Sequence, residues 1–255
     1  MKKNKIVIAN WKMNKTVSES QKFISELIND STLKNYKNVI ICPSFLSIMS
    51  ILKKCLKNNI KLGAQNCFYE DIGSFTGEIS PIMLKKAGIE YVIIGHSERR
   101  IKLNETPDII NKKLFAALKN KLKVILCVGE TKTEKDCGTE KSVILDQINS
   151  AVYDLQEIDL LNNLVIAYEP VWAIGNTNAN VDPMYAESMC AFIKDSINVN
   201  FRKKINVLYG GSLNSKNTEN FLKMEHIDGG LIGGASLDVK EFSEIIKISQ
   251  NFYIS

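Results

Sequence analysis

The stretch Leu164-Val165-Ile166-Ala167-Tyr168-Glu169-Pro170 places a carboxylate at the end of a short apolar run. Pro170 cannot donate a backbone hydrogen bond, so a strand formed by this run must end at the proline. The residue that precedes a proline is biased towards extended backbone geometry. We therefore predict that Glu169 lies at the tip of a strand and faces a loop.

Seven further apolar runs divide the rest of the chain. They occupy residues 6–9, 39–42, 60–64, 91–94, 124–128, 205–209 and 230–232. Apolar residues are largely continuous in these runs rather than alternating with polar ones, which is the pattern of parallel strands covered on both faces. Together with residues 164–167 they give eight predicted strands.

Most intervals between the runs carry helix signals. Residues 18–21, Ser-Glu-Ser-Gln, match a capping box. Thr106-Pro107 and Asp182-Pro183 each put a capping side chain before a proline at the first helical position. Apolar residues at helical spacing follow three predicted starts. After Ser18 they are Phe23, Ile24, Leu27 and Ile28. After Asp182 they are Tyr185, Met189, Phe192 and Ile193, and after Thr139 they are Ile144, Ile148, Ala151 and Leu155.

Eight strand–helix units follow one another without a linker, a low-complexity segment or an internal repeat. This organisation predicts a single domain over residues 1–255 of the α/β class, a closed (β/α)8 barrel in which eight parallel strands are ringed by helices. A doubly wound open sheet is the main alternative, because the sequence does not reveal strand order. No GxGxxG pattern follows the first strand, which argues against a dinucleotide-binding fold.

The composition argues against several classes of partner. The chain has 33 basic and 28 acidic residues, a net charge of +5. This excess is mild, and no Lys/Arg run is interleaved with aromatic residues, so we expect no nucleic-acid partner. The lysine pairs at 53–54, 112–113 and 203–204 are expected to be solvated helix faces.

Cysteine and histidine usage bears on metals and on the cellular compartment. The six cysteines form no CxxC pair and there are two histidines, so we expect no metal site and reduced thiols in a cytoplasmic protein. Cys127 is expected to pack in the core, and whether Cys67 can be modified is left open. The apolar run at 6–9 is too short for a signal peptide or a membrane span, so we expect no membrane partner.

Polar residues collect where the predicted strands end, which is where (β/α)8 barrels place their active sites. These ends carry Asn10 and Lys12, His96 and Glu98, Glu169, Gly210-Gly211-Ser212, and Gly233-Gly234. Glycines let a backbone approach a ligand, and barrel phosphate sites commonly follow the last two strands. The two glycine pairs indicate a phosphate site, with plain tight turns as the alternative.

Lys12 and His96 supply the remaining chemistry. Lys12 would add a positive charge at this mouth, unless it is an ordinary surface lysine. His96 precedes a predicted helix start, which favours a neutral imidazole; the alternative is a core histidine tied to the backbone. These groups, with the base Glu169, predict proton abstraction next to a carbonyl of a small phosphorylated substrate, without a metal or cofactor. His226 precedes a strand, at the opposite end of the barrel.

The loop after Glu169 is unusually apolar. We expect a lid formed by Pro170, Val171, Trp172, Ala173, Ile174, Gly175 and Asn176. Such a lid would exclude water from the carboxylate and raise its basicity. A buried hinge that packs on the core is the alternative.

Longer motifs carry a family resemblance. The chain resembles the triosephosphate isomerase family from end to end, through residues 9–14, 63–66, 75–80, 95–100, 127–130, 167–175, 209–212 and 233–237. The resemblance implies a TIM barrel that interconverts dihydroxyacetone phosphate and D-glyceraldehyde 3-phosphate in glycolysis and gluconeogenesis, without a cofactor.

The resemblance also implies roles for individual residues. Glu169 would move a proton between C1 and C2, and His96 would polarise the carbonyl. Asn10 and Lys12 would hold the charged substrate, with Glu98 behind Lys12 and His96. Backbone N–H groups would bind phosphate and an apolar clamp would cover the carboxylate, with Gly175, Ser212, Gly233 and Gly234 at the phosphate and Ile174 and Leu231 in the clamp.

A homodimer is implied as well. Residues 65–80 look like the loop that inserts into the neighbouring subunit, with Thr76 near the partner's Asn10 and Glu78 paired with the partner's Arg99. An ordinary surface excursion is the alternative, although the apolar side chains of this loop would then be unfavourably exposed, namely Phe68, Tyr69, Ile72 and Phe75.

One segment departs from the family. After the apolar tip of the lid the family commonly reads Gly-Thr-Gly-Lys-Thr-Ala, whereas this chain has Gly175-Asn176-Thr177-Asn178-Ala179-Asn180. We expect activity to survive, because a hinge needs backbone freedom rather than fixed chemistry. The closing rate or the hinge geometry is where an effect is expected. The alternative function is a barrel that binds phosphorylated metabolites or partners without catalysis.

Overall fold

The eight predicted strands close into one parallel barrel in the computed structural model, which describes residues 4–31, 38–155, 158–175 and 181–252. The strands are β1 (Ile6–Asn10), β2 (Val39–Cys42), β3 (Lys61–Ala64), β4 (Tyr91–Ile94), β5 (Lys123–Val128), β6 (Leu164–Tyr168), β7 (Asn206–Tyr209) and β8 (Gly229–Ile232). They neighbour one another in chain order, and Ile6 of β1 lies opposite Gly229 of β8. The (β/α)8 barrel is confirmed and the open sheet is wrong, while the single domain over residues 1–255 stays a prediction.

Helices ring the barrel. Those of the described residues are α1 (Val17–Ile28), α2 (Phe45–Lys57), α3 (Pro81–Lys86), α4 (Ser97–Lys102), α5 (Pro107–Lys119), α6 (Lys132–Asp136), α7 (Glu140–Ala151), α8 (Pro183–Phe201), α9 (Thr218–Leu222) and α10 (Val239–Gln250). Short 3-10 segments lie at Ile158–Asn163, Val171–Ala173 and Gly234–Leu237. Within this described part, no helix is long and apolar enough to cross a membrane.

Every strand except β3 contributes apolar side chains to two layers. Alternate side chains fill the inside of the barrel, among them Ile8, Ile40, Ile93, Ile125 and Leu208. The intervening side chains pack between the barrel and the helices, among them Val7, Ile41, Val92, Val124 and Val207. Both faces of a strand are therefore buried, which is why the runs in the sequence are continuous rather than alternating.

Three of the four predicted helix starts are confirmed, and one of them is Thr139, which directly precedes α7. Thr106 Oγ1 accepts from the Ile109 N–H at 3.3 Å, and Asp182 Oδ1 accepts from the Met184 N–H at 3.0 Å. The capping box predicted at residues 18–21 is wrong by two residues. The box is formed by Thr16 and Glu19, whose carboxylate accepts from the Thr16 N–H at 2.8 Å, so α1 begins at Val17.

Two of the lysine pairs differ from the prediction. Lys113 is buried, bonded to Glu105 and, at 3.0 Å, to Asn66 Oδ1. The pair at 203–204 follows the end of α8 and lies on no helix. Leu155 likewise lies beyond the end of α7.

Candidate active site

The predicted site residues surround one cleft at the carboxyl ends of the strands. The cleft has a volume of about 560 Å³ and is lined by Asn10, Lys12, His96, Glu169, Ile174, Gly175, Gly210, Gly211, Ser212, Leu231, Gly233 and Gly234. These residues come from strand ends and loops that are far apart in the sequence. Closure of the barrel brings them together, because parallel strands all present the same end to this mouth.

Glu169 is a buried carboxylate placed by the strand ladder. Its side chain is 2% exposed, and its backbone N–H donates to Val128 O at 2.7 Å. The Oε1 atom lies 3.3 Å from His96 Nε2. Among the described residues, Oε2 has no hydrogen-bond partner although it is buried. One oxygen of this carboxylate is therefore buried without a donor from the described residues.

The contacts of His96 identify a neutral tautomer. His96 precedes α4, and its Nδ1 accepts a hydrogen bond from the backbone N–H of Glu98 at 3.2 Å. An acceptor nitrogen carries no proton, so the proton of the neutral ring is on Nε2. Nε2 faces Glu169 at the cleft. The ring can therefore donate a hydrogen bond to an oxygen of a ligand.

Lys12 reaches the same mouth from the loop after β1. Its backbone has a φ of +52° and its Nζ lies 2.7 Å from Glu98 Oε1. Burial raises the pKa of Glu98, but the hydrogen bond from Lys12 and the positive charges around the carboxylate, Lys12 foremost, together outweigh burial, so this pKa lies below its ordinary value. Asn10 Oδ1 accepts from the Lys12 N–H at 3.1 Å. The loop thus aims a cation into the cleft.

Gln65 was not predicted as a site residue. It directly follows β3, and its Nε2 donates to the carbonyl oxygens of Lys12 at 2.8 Å and Cys42 at 2.9 Å. These bonds hold the left-handed backbone of Lys12. The sequence signal available was its position at a strand end.

The glycine pairs after β7 and β8 leave room at the cleft. A Cβ at Gly210 would lie 2.7 Å from Glu169 Cγ, and a Cβ at Gly211 would collide with the Tyr209 side chain. A Cβ at Gly233 would lie 3.5 Å from Lys12 Cε, whereas one at Gly234 would meet no atom within 4 Å. The first pair therefore makes space for protein side chains, and the second borders open space.

The base of the predicted lid is packed, and its tip lines the cleft. Trp172 Nε1 donates to Glu130 Oε1 at 2.9 Å, and Ser212 Oγ donates to the carbonyl of Ala173 at 2.7 Å. Ile174 and Leu231 both line the cleft that contains Glu169. The base resembles the packed hinge of the alternative, and the lid itself stays a prediction. Asn176 and the altered segment 178–180 lie outside the described residues.

Glu130 is a second residue without a predicted role. It is fully buried, and its Oε1 accepts hydrogen bonds from Trp172, from Tyr168 Oη at 3.1 Å and from Tyr185 Oη at 3.3 Å. Burial raises the pKa of Glu130 more than these donors lower it. The carboxylate ties Trp172, at the base of the predicted lid, to β6 and α8.

The loop predicted to insert into a partner packs largely on itself. The Phe68 ring lies 4.1 Å from that of Tyr69 and 4.5 Å from that of Phe75, measured between centroids. Ile72 is 86% exposed, and Thr76 and Glu78 are exposed as well. Arg99 donates to Glu105 Oε1 of its own chain at 2.6 Å. The dimer and its contacts stay predictions.

The remaining candidates lie outside the chemistry of the cleft. Cys67 is buried and burial raises its pKa to about 12, which does not favour modification. Cys127 is buried in the barrel interior, as predicted. His226 Nδ1 lies 2.7 Å from Glu187 Oε1, just before β8 and away from the cleft. No group of three or more metal-ligating side chains occurs in the part of the chain that the structure describes.

Fold and cleft together define a (β/α)8 barrel with an acid–base site at its C-terminal mouth. A family model described as triosephosphate isomerase matches residues 5–249. The triosephosphate isomerase of Chloroherpeton thalassium is 44% identical over 255 residues, which is 97% of this chain and 100% of that protein. The triosephosphate isomerase of Finegoldia magna is 42% identical over 245 residues, which is 94% of this chain and 97% of that protein. That of Aquifex aeolicus is 43% identical over 245 residues, which is 95% of this chain and 98% of that protein. The chain belongs to the triosephosphate isomerase family.

Proposed function

We propose that this chain is an isomerase that interconverts dihydroxyacetone phosphate and D-glyceraldehyde 3-phosphate in the cleft at the mouth of the barrel. The observation that carries the proposal is the environment of Glu169, a buried carboxylate with one oxygen facing His96 Nε2 at 3.3 Å. The other oxygen has no partner among the described residues. A carboxylate with a free oxygen beside a hydrogen-bond donor is placed to take a proton from a bound carbonyl compound while the donor polarises its carbonyl.

The reaction begins with transfer of a proton from C1 of dihydroxyacetone phosphate to Glu169. The electron pair of the broken C–H bond moves into the C1–C2 bond, and the carbonyl electrons move to the C2 oxygen, which gives an enediolate. His96 donates its Nε2 hydrogen bond to that oxygen and shuttles protons between the two oxygens. Glu169 then returns its proton to C2, and C1 becomes the aldehyde. No cofactor takes part in these steps.

Lys12 and the glycine-rich turns hold the charged substrate. The Lys12 ammonium group offsets the negative charge of the phosphate and of the enediolate, assisted by Asn10. Glu98 keeps Lys12 in place through the 2.7 Å contact. Phosphate is bound by backbone N–H groups of Gly175, Ser212, Gly233 and Gly234. Ile174 and Leu231 cover the carboxylate, and the lid formed by residues 170–176 excludes water from the enediolate.

Glu169→Gln tests this mechanism, because glutamine has the shape of the base without its basicity. We expect turnover of D-glyceraldehyde 3-phosphate to fall by about 100- to 10,000-fold, the contribution typical of a positioned base. Binding of inorganic phosphate, measured by calorimetry, should persist. Turnover that survives in the variant contradicts the role of Glu169. A folded wild-type chain that binds phosphate without turnover supports the non-catalytic alternative instead.

The working form in this proposal is a homodimer in the cytoplasm, acting in glycolysis and gluconeogenesis. The dimer is supported by Ile72, an isoleucine in the loop 65–80 that is 86% exposed in the single chain. Ile72→Lys should shift sedimentation from dimer to monomer. Val199→Lys on α8, where the valine is 76% exposed, is the matched control and should leave the dimer intact. A wild-type chain that sediments as a monomer at micromolar concentration contradicts the dimer.

A further inference from the structure

Lys135 lies against two aromatic rings beside the base of the lid. Its Nζ is 3.8 Å from the centroid of the Trp172 ring and 4.4 Å from that of the Tyr185 ring. An ammonium group within about 6 Å of a ring centroid is attracted to the electron-rich face. Lys135 is half-buried, so solvent screens this attraction only in part. The side chain therefore makes two cation–π contacts at once.

The same two rings bind Glu130 through their polar edges. Trp172 Nε1 and Tyr185 Oη donate to Glu130 Oε1 at 2.9 and 3.3 Å. The ring centroids are 6.4 Å apart. A cation on the ring face draws electron density from the ring, which makes its N–H or O–H a better donor to a carboxylate. The contacts of Lys135 and the hydrogen bonds to Glu130 therefore reinforce one another.

These contacts act on the lid, because Trp172 belongs to the 3-10 segment that directly follows Pro170. Lys135 is held in turn by α6, whose N-terminus is fixed by a capping box between Thr131 and Glu134 with a 2.6 Å bond from the Thr131 N–H. Thr131 adjoins Glu130 in the chain. The base of the lid at Trp172 is thus contacted from outside the cleft by the segment that contains Glu130, Thr131 and α6.

We propose that Lys135 is a positioning residue for the lid, whose ammonium group keeps Trp172 and Tyr185 against Glu130. The inference rests on the proposed isomerase function, in which the lid carries the phosphate ligand Gly175. Lys135 itself touches neither the substrate nor the reacting atoms. Glu169 precedes Pro170 and keeps its bond to Val128 O whatever happens to Trp172. Loss of Lys135 therefore affects how substrate is held more than how its proton is moved.

Lys135→Met tests the role of the charge, because methionine keeps much of the apolar stem. We expect kcat/KM to fall by about two- to fivefold, the range of a partly exposed cation–π contact, mainly through a higher KM. Lys135→Arg should restore the wild-type value. The matched control is Lys132→Met, since Lys132 lies in the same helix, is exposed and pairs with Asp136.

Tryptophan quenching gives a readout that does not depend on activity. Trp11 is fully buried and Trp172 is not, so the neutral quencher acrylamide reports mainly on Trp172 in the intact chain. The quenching constant should rise in Lys135→Met and stay unchanged in Lys132→Met and Lys135→Arg. Equal quenching in Lys135→Met and the wild type overturns the proposal, and so does an equal effect of Lys132→Met. A wild-type chain without isomerase activity refutes the proposed function alone, because the quenching series still tests Lys135.

Discussion

Replacing Gly210 with alanine should displace the carboxylate of Glu169. The added Cβ would lie 2.7 Å from Glu169 Cγ and 3.3 Å from Oε1. Carbon atoms in contact prefer a separation of about 3.5–4.0 Å, so one of the two groups must retreat by roughly 1 Å. The backbone of Glu169 cannot retreat, because its N–H is bonded to Val128 O at 2.7 Å and its carbonyl abuts Gly129. The displacement therefore falls on the side chain.

The expected effect follows from the size of that displacement. A misplacement of about 1 Å in an active site can reduce the rate roughly 100-fold. That loss corresponds to about 2.7 kcal/mol of transition-state stabilisation. We expect it in kcat, measured by coupling formation of dihydroxyacetone phosphate to its reduction. KM should change little, because Gly210 is not among the proposed phosphate ligands.

Gly230→Ala is the matched control for crowding. Its added Cβ would lie 2.6 Å from Leu213 Cδ1, the far end of a flexible side chain rather than the carboxylate. Both variants should lose some thermal stability. Overpacking typically lowers the free energy of unfolding by about 1–3 kcal/mol, and we expect losses no larger than this. A folded Gly210→Ala variant with kcat close to wild type refutes the reasoning. An equal loss of kcat in Gly230→Ala shows that crowding in general, not displacement of Glu169, is responsible.

Two further predictions concern ion pairs. Lys113→Met should lower the free energy of unfolding, measured in urea, by about 3 kcal/mol or more, because it leaves the buried Glu105 without one of its two cations. The control is Lys112→Met, since Lys112 is exposed. Equal losses of stability in both variants contradict the argument. The Lys12–Glu98 pair should make stability depend on pH. The pKa of Glu98 in the folded chain lies below the ordinary value of 4.5. The ionised carboxylate therefore contributes its full stabilisation above pH 4.5 and loses that stabilisation as the pH falls through the folded-state pKa. Unfolding curves of wild type and Glu98→Gln should therefore converge in acid, and a constant difference down to the lowest pH rejects this linkage.

Strand positions were predictable because burial on both faces leaves a plain signal. The run at 91–94 and the run at 39–42 match β4 and β2 at both ends. The site residues were predictable where each follows such a run, as His96 and Glu169 do. The order of the strands in the sheet was not predictable. A run of apolar residues indicates that a strand is buried on both faces, but it does not indicate which strand lies beside it.

The errors have identifiable causes. Lys113 lies three residues after Ile110 and four before Ala117, which are both buried on α5. Its position on the helix therefore indicated the buried face, whereas its adjacency to Lys112 in the sequence wrongly indicated a solvated face. The capping box depended on local competition among Thr16, Ser18 and Glu19, which a pattern of residue types does not resolve. Gln65 and Glu130 act through partners that only the closed barrel brings near them.

The hydrogen-bond ladder runs one residue beyond several strands, and this divides the mouth of the barrel into a part held by the sheet and a part held only by loops. The N–H groups of Trp11, Glu169 and Gly210 still donate to neighbouring strand carbonyls at 3.1, 2.7 and 2.8 Å. Pro170 has no N–H, so the ladder stops at the first residue of the proposed lid. The position of the carboxylate is therefore set by the strands of the barrel and not by the loop that follows. If the loop beyond it is the proposed lid, substitutions in that loop would change the timing of lid closure and leave the acid in place.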